Sequence, residues 1–199
     1  MGIITEIKLQ KRNKNRVSIY VDGKFLTGMQ SITAAREGLK TGLEIDERRL
    51  MNLVYESETA EAFDKALGYI ARGPKTCREV TDYLCSKQFS ADAAQSAEHK
   101  LCEYGYLDDK KYVESYISCY SAERGINRLK ADLLAKGIDK NLAEEKLSAV
   151  TGQEEAAAEA AKKYMRTHKE ADKNKLCRHL YSKGFSYSVI SAVTGEDYD

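Results

Sequence analysis

The stretch Leu129-Lys130-Ala131-Asp132-Leu133-Leu134-Ala135-Lys136-Gly137-Ile138-Asp139 decides the fold, because its pattern occurs three times. Leu129, Leu133, Lys136 and Ile138 answer to Val80, Leu84, Lys87 and Phe89 upstream and to Leu176, Leu180, Lys183 and Phe185 downstream, at offsets of 49 and 47 residues. The first two apolar residues of each set are four apart and share one helix face. Gly137 and Gly184 follow the lysines, where a helix ends on a left-handed residue; Gln88 holds that place in the first copy. Ser90, Asp139 and Ser186 then stand where a side-chain oxygen would cap the next helix. A unit of this size cannot bury its apolar face alone, so the copies are expected to stack.

Other punctuation completes three helices per repeat. Helical patterning begins near Asp46, and Gly73-Pro74 ends a helix expected to start near Ser57. Thr76-Cys77-Arg78-Glu79 reads as a capping box. Gly105 closes the third helix of the first repeat, Gly125 and Asn127 separate two helices of the second, and Gly152 precedes an alanine-rich helix. Before the repeats, Ile3 to Gln10, Val17 to Val21 and Phe25 to Thr27 read as strands. Asp22-Gly23 suits a tight hairpin turn with both central residues at positive φ, and the polar run Lys11 to Arg16 forms the other, basic turn. A short helical connector ends near Gly38 or Gly42. The predicted fold is mainly α: tandem three-helix repeats in an elongated curved array, preceded by a small antiparallel β segment. Its parts are residues 1–45, then repeats over 46–109, 110–152 and 153–199.

Composition narrows the function classes. With 42% hydrophobic residues, 32% charged residues and a single proline, the chain is too apolar for disorder and suits a helical protein. The start lacks the basic-then-apolar layout of a signal peptide. No run approaches the roughly 18 apolar residues of a membrane span. These readings predict a cytoplasmic protein with no membrane contact. The five cysteines form no C-x-x-C pair and are expected to be reduced, half-buried thiols; neither they nor the three scattered histidines have a metal-ligand spacing. No phosphate loop, nucleophile elbow or H-E-x-x-H motif is present. The expectation is a protein without cofactor, metal or catalytic residues.

Charge is the better signal. The net charge of +1 conceals a net +4 over residues 1–28 and a net +6 over residues 162–183, against an acidic stretch from Glu44 to Glu61. Such polarity steers an anionic partner while the total stays near zero. The candidate contacts are Lys11, Arg12, Lys14 and Arg16 in the N-terminal turn; Arg72 and Lys75, with Arg78, around Gly73; and Arg124, Arg128, Lys130 and Lys136 in the second repeat. In the third, Lys162, Arg166, Lys169 and Lys173 are spaced to make one cationic helix face, which Lys175, Arg178 and Lys183 carry into the next helix. A cationic face along a phosphate backbone gains from counterion release without reading sequence. The plain alternative for each is a solvated surface. Asp108 and Asp109, in Gly105-Tyr106-Leu107-Asp108-Asp109, read as helix-capping acids rather than a metal pair. Tyr112, Tyr116 and Tyr120 form a helical stripe that reads first as inter-helix core, although such rings can also stack bases.

Taken in order, several motifs resemble the RecX family over nearly the whole chain. They are Ile4-Thr5-Glu6-Ile7 with Gln10-Lys11-Arg12-Asn13; Arg16-Val17-Ser18-Ile19-Tyr20 with Asp22-Gly23; Leu67-Gly68-Tyr69-Ile70 with Arg72; Gly105-Tyr106-Leu107-Asp108-Asp109; and Lys136-Gly137-Ile138-Asp139. Gly73 departs from the pattern, where a second arginine is common, as does Gln88, where glycine is usual. The resemblance implies a non-enzymatic regulator that binds RecA filaments on single-stranded DNA, usually restraining RecA's ATP hydrolysis and strand exchange. The partners expected are the RecA filament and DNA phosphates, met by a monomer. A nucleic-acid binder with no RecA target and a helical adaptor using the acidic stretch are the alternatives.

Overall fold

The computed structural model of the chain describes residues 1–11, 13–168 and 172–195. The candidate contacts Arg12 and Lys169 lie outside these residues. Two compact units result, residues 1–73 with 80–106, and residues 74–79 with 107–199.

The first unit opens with strands β1 (Gly2–Leu9), β2 (Arg16–Val21) and β3 (Lys24–Gln30), followed by helix α1 (Ser31–Arg36). A two-residue strand, β4 (Glu44–Ile45), completes an antiparallel sheet in the order β3-β2-β1-β4. Asp22 and Gly23 take φ of 50° and 78° in the β2–β3 turn, as the Asp-Gly pair predicts. Alternation puts Ile4, Val17, Ile19 and Met29 on one face, where they pack with Ala34, Ile45, Leu50 and Leu53.

Leu50 and Leu53 belong to α2 (Glu47–Ile70), one unbroken helix of 24 residues capped by Asp46. Ser57 therefore does not start a helix. It is buried, and its hydroxyl accepts the Gln30 N–H at 3.1 Å, so a residue type favoured at caps serves a tertiary contact here. The rest of α2 packs along α4 (Ala91–Glu103), both burying alanines: Ala62 and Ala66 on one, Ala93, Ala94 and Ala97 on the other. Ser90 caps α4 and also donates its N–H and hydroxyl to the Glu58 carboxylate at 2.7 and 2.9 Å.

The second unit contains α5 (Asp109–Tyr120), α6 (Ile126–Ala135) and α7 (Lys140–Ser148), closed around Val113, Leu129, Leu133, Ile138, Ala143 and Leu147. Next come α8 (Gln153–Thr167), α9 (Lys173–Ser182) and α10 (Tyr187–Thr194), whose core joins the alanine face of α8 to Leu180, Phe185 and Ile190. Asp139 and Ser186 cap α7 and α10. The unit also holds the first turn of α3 (Cys77–Ser86).

Helix ends are joined in a repeated manner. Thr76 and Glu79 form the predicted reciprocal cap, and the Thr76 hydroxyl donates to the Lys136 carbonyl at 2.7 Å. At the positions one repeat later, the Gly125 N–H donates to the Lys183 carbonyl at 2.9 Å and the Asn127 N–H to the Gly184 carbonyl at 3.1 Å. Gly184 has φ of +87°, and a Cβ there would come within 2.3 Å of the Arg128 backbone nitrogen. Glycine is thus required twice over, by conformation and by approach. Gln88 keeps the same left-handed geometry, with φ of 69°, despite its side chain. No helix among the described residues is long and apolar enough to cross a membrane.

Candidate nucleic-acid interface

The candidate cations separate into those held by acids and those left open. Arg16 pairs with Glu61 on α2 and donates to the Gly28 carbonyl, fastening the sheet to the helix. Arg124 and Arg128 share Asp132, at 2.7 and 3.0 Å. Lys130 meets Glu144 at 2.7 Å, and Lys162 meets Glu159 at 2.9 Å. These lysines hold both carboxyls below the ordinary range, chiefly through the hydrogen bond each donates. Lys136 meets Glu79 at 2.8 Å, and that hydrogen bond raises the ammonium pKa. A cation with a standing acidic partner gives up that contact before it meets a phosphate.

Lys11, Lys14 and Arg72 of the first unit are exposed and have no ion pair among the described residues. The same holds in the second unit for Arg166, Lys175 and Arg178, and for the half-buried Lys183. Lys75 is half-buried and has an interaction of its own.

The expected four-residue stripe of the third repeat does not lie on one helix. The Thr167 hydroxyl bonds back to the Tyr164 carbonyl at 2.9 Å, the His168 N–H caps the same carbonyl, and α8 stops. Asp172 then caps α9 through the Lys175 N–H. Lys162 and Arg166 therefore belong to α8 and Lys173 to α9. Tyr164 lies between His168 and His179, stacked at centroid distances of 4.4 and 4.3 Å. Burial, then Lys183 and His168, pushes the His179 pKa down.

The adjacent acids act as caps. Asp108 caps α5 through the Lys111 N–H, whereas Asp109 reaches across to the Cys77 N–H at the start of α3. The tyrosine stripe matches the core reading in part. Tyr112, Tyr116 and Tyr120 are half-buried against the α5–α7 core, with Arg124 over the Tyr120 ring at 4.3 Å. The Tyr116 hydroxyl donates to Asp132 and accepts from Arg124. Burial first, then Asp132, raises its pKa. The expected half-buried thiols are Cys77, Cys102 and Cys177; Cys85 and Cys119 are exposed. In the acidic stretch, Asp46 and Glu61 already serve as cap and ion-pair partner.

Sequence reasoning passed over a groove of about 390 Å³ between α9 and α10, lined by Asn174, Cys177, Arg178, Tyr181, Tyr187 and Ile190. The available signal was the alternation of basic and aromatic residues from Arg178 through Tyr187, which lacks helical periodicity because a turn interrupts it.

Comparison with known proteins agrees with this architecture. Residues 2–46 match the regulatory protein RecX N-terminal domain, residues 62–101 the RecX first three-helix domain and residues 152–194 the third. The chain is 35% identical to a regulatory protein RecX of Clostridium perfringens, over 100% of this chain and 99% of that one. It is 34% identical to that of Bacillus licheniformis, over 100% of this chain and 79% of the relative. A crystal structure of a regulatory protein RecX superimposes with a TM-score of 0.69 at 25% identity, covering 98% of this chain and all of that one. Motifs, helical bundles and full-length likeness converge: the chain belongs to the RecX family of regulatory proteins.

Proposed function

We propose that this chain is a non-enzymatic, monomeric cytoplasmic regulator of RecA. It binds the RecA–single-stranded DNA filament and restrains its ATPase, strand-exchange and coprotease activities in recombination, repair and the SOS response. An N-terminal segment over residues 1–45 and repeats over 46–109, 110–152 and 153–199 each contribute surface. The observation that carries the nucleic-acid part is the set of cations without acidic partners among the described residues: Lys11, Lys14, Arg72, Arg166, Lys175 and Arg178. Family membership supplies the RecA part. Arg16, Arg124, Arg128, Lys130, Lys136 and Lys162 join the contact only by exchanging an internal acid for phosphate. No bond is made or broken in this reading. A filament bridged by the protein is held away from the geometry that turns over ATP.

The test is RecA-catalysed ATP hydrolysis on single-stranded DNA, titrated with the purified chain. A dose-dependent fall is expected, and an unchanged rate with no filament binding rejects the proposal. The same open cations favour a second reading, binding to nucleic acid with no RecA target. It predicts RecA-free affinity that falls steeply with salt, by roughly one power of concentration per phosphate contact. Lys175→Glu with Arg178→Glu should then abolish binding.

A further inference from the structure

The groove between α9 and α10 differs from the groove beside the tyrosine stripe of α5. Asn174, Cys177, Arg178 and Tyr181 recur at three- and four-residue steps, so one face of α9 forms one wall. Tyr187, the first residue of α10, faces them, and the buried Ile190 lines the same groove. Tyr181 and Tyr187 are 65% and 58% exposed. The stripe Tyr112, Tyr116 and Tyr120 borders a smaller groove of about 280 Å³, but there the rings are half-buried and the nearby cations Arg124 and Lys136 are neutralised by Asp132 and Glu79. Around the α9–α10 groove, Lys175, Arg178 and Lys183 have no ion pair among the described residues. No acidic residue stands in the sequence between Asp172, whose carboxylate caps α9, and Glu196, while Lys175, Arg178 and Lys183 all fall within that span.

An occupant matched to this groove is flat, apolar on its faces and attached to negative charge. We propose that the groove takes an unpaired nucleobase of a single strand, stacked against Tyr181 or Tyr187, with the flanking phosphates on Arg178 and Lys175. This rests on the proposed function only in requiring that single-stranded nucleic acid is a ligand. Stacking on tyrosine tolerates any base, because every base has a π face, so the contact adds affinity without sequence preference. The Asn174 side chain on the groove wall can meet a base edge without selecting one.

The test compares two labelled ligands of equal length and charge, single-stranded oligothymidylate and its abasic sugar-phosphate counterpart, by fluorescence anisotropy with the full chain. The natural chain should prefer the base-bearing strand by roughly 5- to 150-fold for each stacked base. Tyr181→Ala with Tyr187→Ala should erase the preference and leave abasic affinity unchanged, while Tyr181→Phe with Tyr187→Phe should keep it. Equal affinity of the natural chain for both ligands, or a full preference surviving in the alanine pair, overturns the assignment. If the alanine pair fails to fold by circular dichroism, photocrosslinking of the natural chain to an oligonucleotide bearing 5-iodouracil decides instead. A crosslink at Tyr181 or Tyr187 is expected, and one found only elsewhere overturns the inference. The two readings fail separately: restrained RecA ATPase without base preference removes the stacking site alone, and base preference without any effect on RecA removes the RecA target alone.

Discussion

The start of α3 sits on the end of α6 through Thr76, and the start of α6 sits on the end of α9 through Gly125, positions related by the repeat offset. The two joints share geometry and differ in chemistry. The first is made by side chains: a threonine hydroxyl on a carbonyl, and Glu79 on Lys136. The second is made by backbone alone, and Gly125 has no room for a side chain, because a Cβ would lie 2.1 Å from the Gly184 carbonyl carbon. Where the first joint has Glu79, the second has Arg128, so among the described residues Lys183 has no counterpart of the acid that Lys136 owns. One frame therefore carries a charge-neutral joint and a cationic one. Repetition preserves the packing, and the charge at each joint is left to local use.

Breaking the packing should give the largest effect. Gly184→Ala adds a left-handed alanine, at about 1–2 kcal/mol, and an overpacking clash of about 1–3 kcal/mol against backbone, so a loss of about 2–5 kcal/mol is expected. Gly137→Ala, also left-handed, meets Arg78 Cδ at 2.1 Å and Cβ at 2.5 Å instead of backbone; the Cδ can swing aside and the Cβ cannot, so the cost should be smaller but still exceed the conformational penalty alone. Amide hydrogen exchange in α6 and α9 measures both, and equal losses would contradict the distinction between the joints.

Removing the charge pair of the first joint is the next test. Burial pushes the Glu79 pKa up, but hydrogen bonds from Lys136 and from the Thr76 N–H outweigh it and hold the carboxyl below the ordinary range. The unfolded chain then binds the proton more readily. The pair's stability is present above the unfolded Glu value of about 4.3 and is lost as pH falls through the lower folded value. Glu79→Gln should cost about 1 kcal/mol at neutral pH, since both side chains are partly exposed, and should flatten that acid dependence. Urea unfolding followed from pH 7 to pH 3 checks it; an identical slope in the variant would remove the pair from the account. The smallest effect should come from Gln88→Gly, which relieves a left-handed non-glycine residue and should stabilise α3 by about 0.5–1 kcal/mol, read as slower exchange at its last turn.

How much was legible depended on distance along the chain. Caps and stops were readable because their partners lie within three residues, as at Thr76 with Glu79 or Ser186 with Val189. The strand pairs around Asp22-Gly23 were readable for the same reason. The strand Glu44–Ile45 was not, since two residues show no alternation and its pairing with Gly2 and Ile3 is tertiary. Ser57 misled because its chemistry suits a cap and only the fold supplies Gln30 as its donor. Among the basic residues, the pattern did not reveal which were already held: Lys136 finds its acid 57 residues away, and Arg16 finds Glu61 45 residues away. The groove at Tyr181 and Tyr187 needed two helices to be brought together.

Helix α2 has a further consequence. At 1.5 Å per residue its 24 residues form a rod of about 36 Å, anchored in the sheet by Leu50 and Leu53 and packed along α4. Each residue also turns the helix by about 100°, so one inserted residue between the anchors would swing one end around the axis and point its buried face at water. Three or four inserted residues would nearly restore the facing and lengthen the rod by one turn. Its length is therefore free to drift only in whole turns, which makes α2 a ruler with coarse graduations.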